Sequence, residues 1–468
     1  MSMQPLTSAT PLPAGVLSPG FDRQRLKPGI VHLGFGAFHR AHQAVYTDLA
    51  LAEEFGDWGI IGVSLRSRQA VEDLRRQDHL FTVTARDASG PQMRLVGCVI
   101  GGISAADERD ALLARLESPD IRIVTLTVTE KAYGLDPVTG GLDLTHPAIA
   151  ADLAHPQAPI GAIGFLVEGL ARRRAAGLAP YTVLCCDNLP TNGRVVRRLV
   201  LEMATRRDPA LADWIAAEGA FPSTMIDRIV PAATAETLSR AAELLGAEDR
   251  LALDTEPFLQ WVIEDRFACG RPAWEKAGAL FVETVEPYEK MKLRLLNGAH
   301  SMLAYLGQVK GLPFVRDVMA VPEYAARVRR HMAAAARTLD PVPGIDLEAY
   351  QAELIARFSN PTIAHKTKQI AMDGSQKMPQ RIFAATVDAL AQGDHALEFA
   401  EATAFWIAYI RTTDLLEDPR ADELRAAARL SAETGSPDAF FALPGLFPEA
   451  LVQNAAWRAR VAEALKAI

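Results

Sequence analysis

The 468-residue chain has few cysteines, no long hydrophobic run and no excess of positive charge. The spacing of its four cysteines fits neither a disulfide framework nor a C-x-x-C metal site. No stretch approaches the roughly 18 apolar residues that a membrane-spanning helix needs. The N-terminus lacks a cationic segment followed by an apolar one, so we expect no secretory signal. These absences predict a cytoplasmic protein that does not act in a membrane.

The charge balance of the chain excludes a second class of partner. The formal net charge is −8 at pH 7, with 23% charged and 49% hydrophobic residues. Such a chain has no basic surplus that would bind nucleic acid or anionic lipid. The composition is ordinary for a globular protein, and the length suffices for two or more domains. A small molecule is therefore the expected partner.

Short apolar runs alternate with helical patterns in the first part of the chain. The runs lie at residues 29–36, 58–65, 121–129 and 181–187, and helical spacing marks residues 37–55, 66–77 and 162–177. Continuous apolar strands separated by helices are typical of a parallel sheet covered on both faces. After about residue 287 only helical patterns remain. We predict an α/β fold, with a Rossmann-type N-terminal domain over residues 1–282 and a mostly α-helical C-terminal domain over residues 283–468.

The first apolar run ends in a G-x-G motif that leads directly into a helical pattern. In a dinucleotide-binding fold the first glycine makes the tight turn, and the second lets the pyrophosphate approach closely. A full fingerprint has a third glycine three residues later, where this chain has His39. The position at the first strand-to-helix junction favours a dinucleotide site over an ordinary turn. The predicted cofactor-binding residues here are Gly34, Phe35, Gly36, Ala37 and Phe38.

The end of the second run leaves the choice between NAD and NADP open. A carboxylate normally stands there to bind the ribose diol, but this chain has Ser64-Leu65-Arg66-Ser67. Arg66 is predicted to contact the adenine or a 2′-phosphate, unless it is only a solvated side chain of a first helical turn. NAD is the expected cofactor, with NADP not excluded. His39 and His42 lack neighbouring cysteines or carboxylates, so we predict no metal there.

The segment EKMKLRLLNGAH, residues 289–300, carries the residue types that alcohol oxidation needs. On a wheel of 100° per residue, Asn297 and His300 lie about 140° and 80° from Lys292, on one broad face. A lysine can take the proton of a hydroxyl group, and amide N–H groups can stabilise the developing alkoxide. A neutral histidine can orient the substrate. The alternative for the lysine alone is a side chain that reaches the surface.

Several further motifs occur in a fixed order along nearly the whole chain. They are GIVHLGFGAFHRAHQAVYTD, TLTVTEKAYG, CDNLPTNG, FPSTMIDRIVPA, EPFLQWVIED, KMKLRLLNGAHSMLAYLG and AMDGSQKMPQR. In this order they resemble the long-chain mannitol dehydrogenase family of polyol and sugar-acid oxidoreductases. The resemblance implies a zinc-independent, NAD(P)-dependent enzyme that interconverts a secondary alcohol and a ketone.

The same resemblance implies roles for individual residues. Lys292 would be the general base, Asn188 and Asn297 the donors to the oxyanion, and His300 the residue that orients the substrate. Asp227 would contact the substrate or tune the lysine, and Thr127 and Asn188 would also line the cofactor site. From the residues alone, Asn188 is as well explained as a turn former, and Asp227 as an ion-pair partner of Arg228.

The motif DGSQKMPQR, residues 373–381, resembles the fructuronate reductase (D-mannonate oxidoreductase) branch of the family. Its Lys377 and Arg381, with His365, Lys366 and Lys368 upstream, would supply cations for the carboxylate of a hexuronate. A charge-assisted hydrogen bond of this kind is worth about 1.5–3 kcal/mol. We therefore expect fructuronate and D-mannonate as the substrate pair, with Lys377 and Arg381 binding it.

Other functions remain open at this point. A mannitol 2-dehydrogenase acting on mannitol and fructose, or an enzyme for another polyol such as arabinitol, fits the same family. A zinc alcohol dehydrogenase lacks its ligand spacing here, and a nucleotide-binding sensor would not need the lysine, asparagine and histidine together. The chain is expected to be a monomer or a small homo-oligomer.

Overall fold

The computed structural model describes residues 3–468. Contacts divide the chain into a first unit that ends at Val285 and a second that begins at Glu286. Every strand in the described residues belongs to the first unit, and the second consists of helices and their connections. The predicted fold class, a Rossmann-type unit followed by a helical one, is confirmed.

The first unit contains eleven strands among the described residues. They are β1 (Pro28–Leu33), β2 (Gly59–Ser64), β3 (Phe81–Asp87), β4 (Gly90–Val96), β5 (Val99–Ser104), β6 (Ile123–Leu126), β7 (Thr182–Cys185), β8 (Thr224–Asp227), β9 (Leu253–Thr255), β10 (Gln260–Glu264) and β11 (Leu280–Val282). The central sheet has the order β5-β2-β1-β6-β7, and each neighbouring pair is parallel. The strand order reverses at β1, which is where α/β folds bind ligands beyond the carboxyl ends of the strands.

Helices cover both faces of this sheet. They are α1 (Ala37–Ala41), α2 (Gln43–Glu53), α3 (Gln69–Arg76), α4 (Arg109–Glu117), α5 (Pro147–Ala154), α6 (Ala162–Ala175), α7 (Asn192–Arg207), α8 (Pro209–Glu218) and α9 (Ala235–Leu245), with 3₁₀ turns at Arg23–Arg25, Glu130–Tyr133 and Trp274–Ala277. Alternate residues of β1 enter different cores: Ile30 packs on one face, and Val31 and Leu33 on the other. This burial on both sides explains why the strands read as continuous apolar runs.

Two smaller sheets flank the central one, with orders β4-β3-β9 and β11-β10-β8. The N-terminal segment crosses the first of them, where Leu17 forms a bridge with Arg94. Leu6 is fully buried in a cluster with Leu80 and Met93. The segment before β1 therefore contributes to a core.

The helical pattern over residues 37–55 is interrupted at His42, between α1 and α2. His42 adopts φ −124° and ψ −86°, outside the helical region. Its Nε2 donates to the carbonyl of Gln260 at 2.9 Å, and its ring stacks on Phe38 with centroids 5.0 Å apart. These tertiary contacts stabilise a break that sequence periodicity does not reveal.

The second unit is built from thirteen α-helices among its described residues. They are α10 (Glu286–Lys292), α11 (Gly298–Val309), α12 (Val315–Met319), α13 (Pro322–Arg337), α14 (Leu347–Phe358), α15 (Thr367–Ala371), α16 (Gly374–Met378), α17 (Ala384–Ala391), α18 (Leu397–Thr412), α19 (Ala421–Thr434), α20 (Asp438–Phe441), α21 (Glu449–Val452) and α22 (Ala455–Lys466). Two π-helical turns, Leu293–Asn297 and Pro379–Phe383, join α10 to α11 and α16 to α17. Across residues 3–468, no helix combines the length and apolarity needed to span a bilayer.

Candidate active site

In the turn after β1, the backbone conformation and the close packing of the protein require a glycine at position 34. Gly34 has φ +98°, and a Cβ there would lie 2.2 Å from the carbonyl oxygen of Thr127. The amides of Gly34 and Phe35 both donate to the carbonyl of Val63 at 2.9 Å, and the amide of Gly36 donates to that of Gly34 at 2.6 Å. The three amides of the turn are thus used to hold its own shape. A side chain at Gly34 would break that shape.

Gly36 differs from Gly34, because no protein atom among the described residues lies close enough to exclude a side chain at this position. A Cβ at Gly36 would meet nothing closer than the carbonyl oxygen of Gly34, at 3.7 Å. The space beside it is therefore open to a ligand that approaches the backbone closely. The amides of Ala37 and Phe38 lie in the first turn of α1, where amides have no intrahelical acceptor. This arrangement fits the pyrophosphate of a dinucleotide.

The predicted cofactor residue Phe35 has its side chain in the core. It is 4% exposed and lies against Gly62 of β2, where a Cβ would come within 2.6 Å of the ring. Its ring also meets the edge of Phe81. Phe35 supports the turn from inside, and only its backbone would be available to a cofactor.

The loops after β6 and β7 are tied together by one carboxylate. Asp187 accepts from the amides of Val128 and Thr129 at 2.8 and 3.2 Å, and from the hydroxyl of Tyr133 at 2.6 Å. Burial raises the pKa of Asp187, and these hydrogen bonds act in the opposite direction. The exposed Asn188 follows directly. The predicted oxyanion donor therefore extends from a rigid loop at the carboxyl edge of the sheet.

A buried asparagine connects the loop after β7 to β8. The side chain of Asn192 donates to the carbonyls of Asp187 and Thr224 and accepts from the amide of Thr224, all at 2.9–3.0 Å. At the other end of β8, Asp227 is 4% exposed. The adjacent Arg228 donates to the carbonyls of Ala41 and Glu256. The guanidinium of Arg228 thus joins the end of β8 to the end of α1 and to the residue after β9.

The residues that follow β2 become exposed from Arg66 onward. Arg66 is exposed, and the nearby Arg68 forms an ion pair with Asp107 in the loop after β5. Asp107 also accepts from the hydroxyl of Ser104 at 2.9 Å. The carboxylate beside the end of β2 thus comes from β5 rather than β2. Sequence reasoning, which searched only the end of β2, did not find Asp107.

The helix that carries Lys292 is not a uniform α-helix. Lys292 is the last residue of α10, and the π turn Leu293–Asn297 follows, with the amide of Gly298 donating to the carbonyl of Leu293. In this i→i+5 pattern, residues five apart lie one turn apart. The predicted separation of about 140° between Lys292 and Asn297 assumed 100° per residue, a value that applies to an α-helix and not to a π turn. A π turn rotates by less than about 100° per residue, so we expect Lys292 and Asn297 to lie closer to one face than a regular α-helix would place them.

His300 is the most enclosed member of the predicted catalytic group. It is 8% exposed, packs on Phe358 with centroids 4.4 Å apart, and meets His365 at 5.2 Å. Its Nε2 has no hydrogen-bond partner among residues 3–468. Burial, followed by the charges of His365, Arg381, Arg357 and Lys292, holds the pKa of His300 well below its ordinary value. His300 is a neutral imidazole with a nitrogen left for a ligand.

The cations predicted to bind a carboxylate are held in different ways. Lys377 donates to the carbonyl of Met372 at 2.6 Å, and Arg381 donates to the hydroxyl of Ser301 at 3.2 Å. His365 was counted as a cation, but burial lowers its pKa. Arg357, which sequence reasoning missed, is 8% exposed on α14, and its charge acts on His300. Its signal was weak, because an arginine within an amphipathic helix is ordinarily a solvated side chain.

Two family models match the chain over most of its length. The mannitol dehydrogenase Rossmann domain matches residues 28–276, and the mannitol dehydrogenase C-terminal domain matches residues 284–468. The chain belongs to the mannitol dehydrogenase family. This match confirms the resemblance of the sequence motifs. It also confirms the prediction that the protein is an oxidoreductase that acts on secondary alcohols with a nicotinamide cofactor.

Individual members of the mannitol dehydrogenase family are similar over nearly the full chain. An oxidoreductase of Escherichia coli named YeiQ is 45% identical, covering 97% of this chain and 94% of the relative. The D-mannonate oxidoreductase of the same organism is 44% identical over 94% and 93%. A solved structure of Pseudomonas fluorescens mannitol 2-dehydrogenase, in a ternary complex with NAD and D-mannitol, is 38% identical with a TM-score of 0.83, over 97% and 94%.

No group of three or more histidine, cysteine, aspartate or glutamate side chains is arranged to hold a metal within residues 3–468. His39 and His42, which are three residues apart, are both fully buried. One ring nitrogen of His42 donates to the carbonyl of Gln260, and the other lies 2.9 Å from the side-chain amide of Gln43. The independence from zinc stays a prediction for chelation to test.

The two glycines of the turn give a matched pair of variants. We expect Gly34→Ala to lower the melting temperature markedly, because its φ is +98° and the new Cβ would overlap the Thr127 carbonyl. Gly36→Ala should leave the melting temperature nearly unchanged while weakening NADH binding by about tenfold or more. Differential scanning fluorimetry and an NADH titration measure the two effects. Equal loss of stability in both variants would refute the distinction.

Proposed function

We propose that this protein is an NAD-dependent, metal-independent hexuronate dehydrogenase that interconverts a keto-uronate, fructuronate, and the corresponding aldonate, D-mannonate. The observation that carries the proposal is the surrounding of His300. A buried neutral imidazole with an unpartnered nitrogen lies within the field of Arg381, Arg357 and Lys292. Cations near a polar, enclosed site favour an anionic substrate over a neutral one.

The proposed roles follow from the chemistry of each side chain. NAD supplies the oxidant for the alcohol, and NADH the reductant for the ketone. Lys292 takes the hydroxyl proton during oxidation and returns it during reduction. The amide of Asn297 donates to the oxygen that gains negative charge. His300 orients the substrate through its free nitrogen.

The dinucleotide is proposed to lie at the turn after β1. The open space beside Gly36 and the first-turn amides of Ala37 and Phe38 support the position of the pyrophosphate. The exposed Arg66 lies where the adenine ribose is bound in such folds. The carboxylate of Asp107 beside the end of β2 forms an ion pair with Arg68, which offsets its charge, so we expect measurable use of NADPH beside NADH.

Arginines are better suited than lysines to hold the carboxylate of the substrate. Arg357 is largely buried, and a guanidinium donates two parallel hydrogen bonds to a carboxylate. The ammonium group of Lys377 donates to the carbonyl of Met372 and lies 3.9 Å from Asp373, and it presents a point charge rather than a planar pair of donors. We therefore add Arg357 to Arg381 and Lys377 as a residue that binds the acid end of the substrate.

The relatives support two substrate classes. D-mannonate oxidoreductase and mannitol 2-dehydrogenase are both similar to this chain over nearly its full length. The mannitol 2-dehydrogenase fold accommodates D-mannitol in its solved ternary complex. Mannitol and fructose are thus the second candidate pair, and the cations around His300 are the reason to rank the sugar acid first.

The proposal is tested by an NADH-oxidation screen over fructuronate, tagaturonate, fructose, xylulose and ribulose. We expect the fastest turnover with fructuronate or tagaturonate, unchanged after prolonged dialysis against EDTA, because the described residues supply no metal ligand set. Elemental analysis for zinc accompanies the chelation. No oxidation with any ketone would refute the proposed function, and loss of activity on chelation would refute its metal independence.

A further inference from the structure

Two stacked histidines lie directly beneath the turn after β1, residues 34–36, which is the proposed dinucleotide turn. The proposed chemistry uses neither histidine. His32 is on β1, two residues before Gly34, and His39 stands where the third glycine of the fingerprint would be. Both are fully buried. Their ring centroids are 3.4 Å apart and the planes meet at 12°. The pair therefore fills the space between strand and helix that a third glycine ordinarily closes.

The hydrogen-bond partners of His32 determine its tautomer. The hydroxyl of Thr127 donates its single proton to the carbonyl of Gly34 at 2.9 Å, so towards His32 its oxygen only accepts. His32 Nε2, at 2.9 Å from that oxygen and 3.0 Å from the Gly34 carbonyl, must carry the proton. The hydroxyl of Thr125 then donates to Nδ1 at 2.7 Å. Burial lowers the pKa of His32 to about 3, in agreement with a neutral ring.

These contacts converge on one oxygen of the turn. The carbonyl of Gly34 accepts from Thr127, from His32 and, at 2.6 Å, from the amide of Gly36. Its direction fixes the plane of the Gly34–Phe35 peptide, and the hydrogen bond from the amide of Gly36 ties the residue before α1 to that plane. A turn whose amides are fixed in advance binds an anion without a cost for ordering them.

His39 contributes its ring rather than its nitrogens. Neither nitrogen makes a well-formed hydrogen bond among the described residues. Burial, with the neighbouring His32 and Arg40, holds the pKa of His39 well below its ordinary value. A neutral ring stacked on His32 keeps that imidazole from turning away from the Gly34 carbonyl.

We infer that His32 and His39 are positioning residues of the dinucleotide turn, which fix the Gly34 carbonyl and thereby set the affinity for the pyrophosphate. The inference rests on the proposed function, since it takes the turn to bind a dinucleotide. It assigns no contact between either histidine and the cofactor. Their effect is on the shape of the backbone that binds the phosphates.

The test measures dissociation constants by NADH titration, and by displacement of NADH with ADP and with adenosine. We expect His32→Leu to weaken NADH and ADP binding by about tenfold or more, because it removes a donor to the Gly34 carbonyl. Adenosine, which has no phosphate, should bind as it does to the wild type. His39→Phe keeps an aromatic ring and should stay within about threefold of the wild type, whereas His39→Ala should not. At saturating NADH, kcat should change far less than the KM for NADH.

Thr127→Val provides a second variant that keeps the shape of a half-buried side chain. It removes the hydroxyl that donates to the Gly34 carbonyl, and should weaken ADP but not adenosine. Equal weakening of ADP and adenosine, or unchanged ADP binding in the folded variants, would overturn the inference. A wild-type protein that binds no NADH would instead refute the proposed function itself, and the inference with it.

Discussion

Lys292→Ala is expected to lower kcat by at least about a hundredfold, the range for loss of a general base. Lys292 ends α10 half-buried, and its charge acts on the enclosed His300. The Kd for NADH should change little, because the lysine is assigned to the substrate and not to the turn after β1. Steady-state turnover and an NADH titration on the same preparation separate the two effects.

The matched control for this variant lies two residues away on the same helix. Lys290 pairs with Asp340 at 3.2 Å and is 37% exposed, so Lys290→Ala removes an equal charge from α10. Exposed ion pairs contribute about 1 kcal/mol or less to stability, and kcat should stay near the wild-type value. Near-wild-type turnover in Lys292→Ala would remove the lysine from the mechanism.

Asn297→Ala is expected to lower kcat by about a hundredfold to a thousandfold, as for the loss of one donor from an oxyanion site. Asn297 is the last residue of the π turn and is half-buried. Asn297→Asp keeps the shape but replaces the amide donor by an acceptor. If the amide acts as a donor, both variants lose activity to a similar degree. An active Asn297→Asp variant would show that only the shape of the side chain matters.

Four strands of the central sheet were predictable because they are buried on both faces, whereas its edge strand β5 was missed. The runs at residues 29–36, 58–65, 121–129 and 181–187 correspond to β1, β2, β6 and β7. Each strand ends before its apolar run does, since the last residues form the loops that carry polar groups at the sheet edge. β3 and β4 were missed because they pair as a hairpin with partly exposed, polar residues, and their pattern is weaker than a continuous apolar run.

Only part of the candidate site could be predicted from the sequence. Lys292, Asn297 and His300 were found because a lysine, an amide and an imidazole stand close together in an otherwise apolar helix. The π turn that aligns them has no sequence signature, since it depends on packing rather than on local preference. Arg357 and the His32–His39 stack were missed for a related reason. Their burial comes from residues distant in sequence, such as Thr125 and Thr127 for His32.

The cations around His300 are the reason for proposing an anionic substrate, so the charge of the substrate is the property to test. Arg381, Arg357 and Lys292 all act on that imidazole. The most direct measurement is the ratio of kcat/KM for fructuronate to kcat/KM for fructose, in the wild type and in Arg357→Gln. We predict a wild-type ratio of at least about ten, and a ratio closer to one in the variant, as expected for loss of a charge-assisted hydrogen bond. A wild-type enzyme that uses fructose as well as or better than fructuronate would contradict the account and leave mannitol and fructose as the substrate pair.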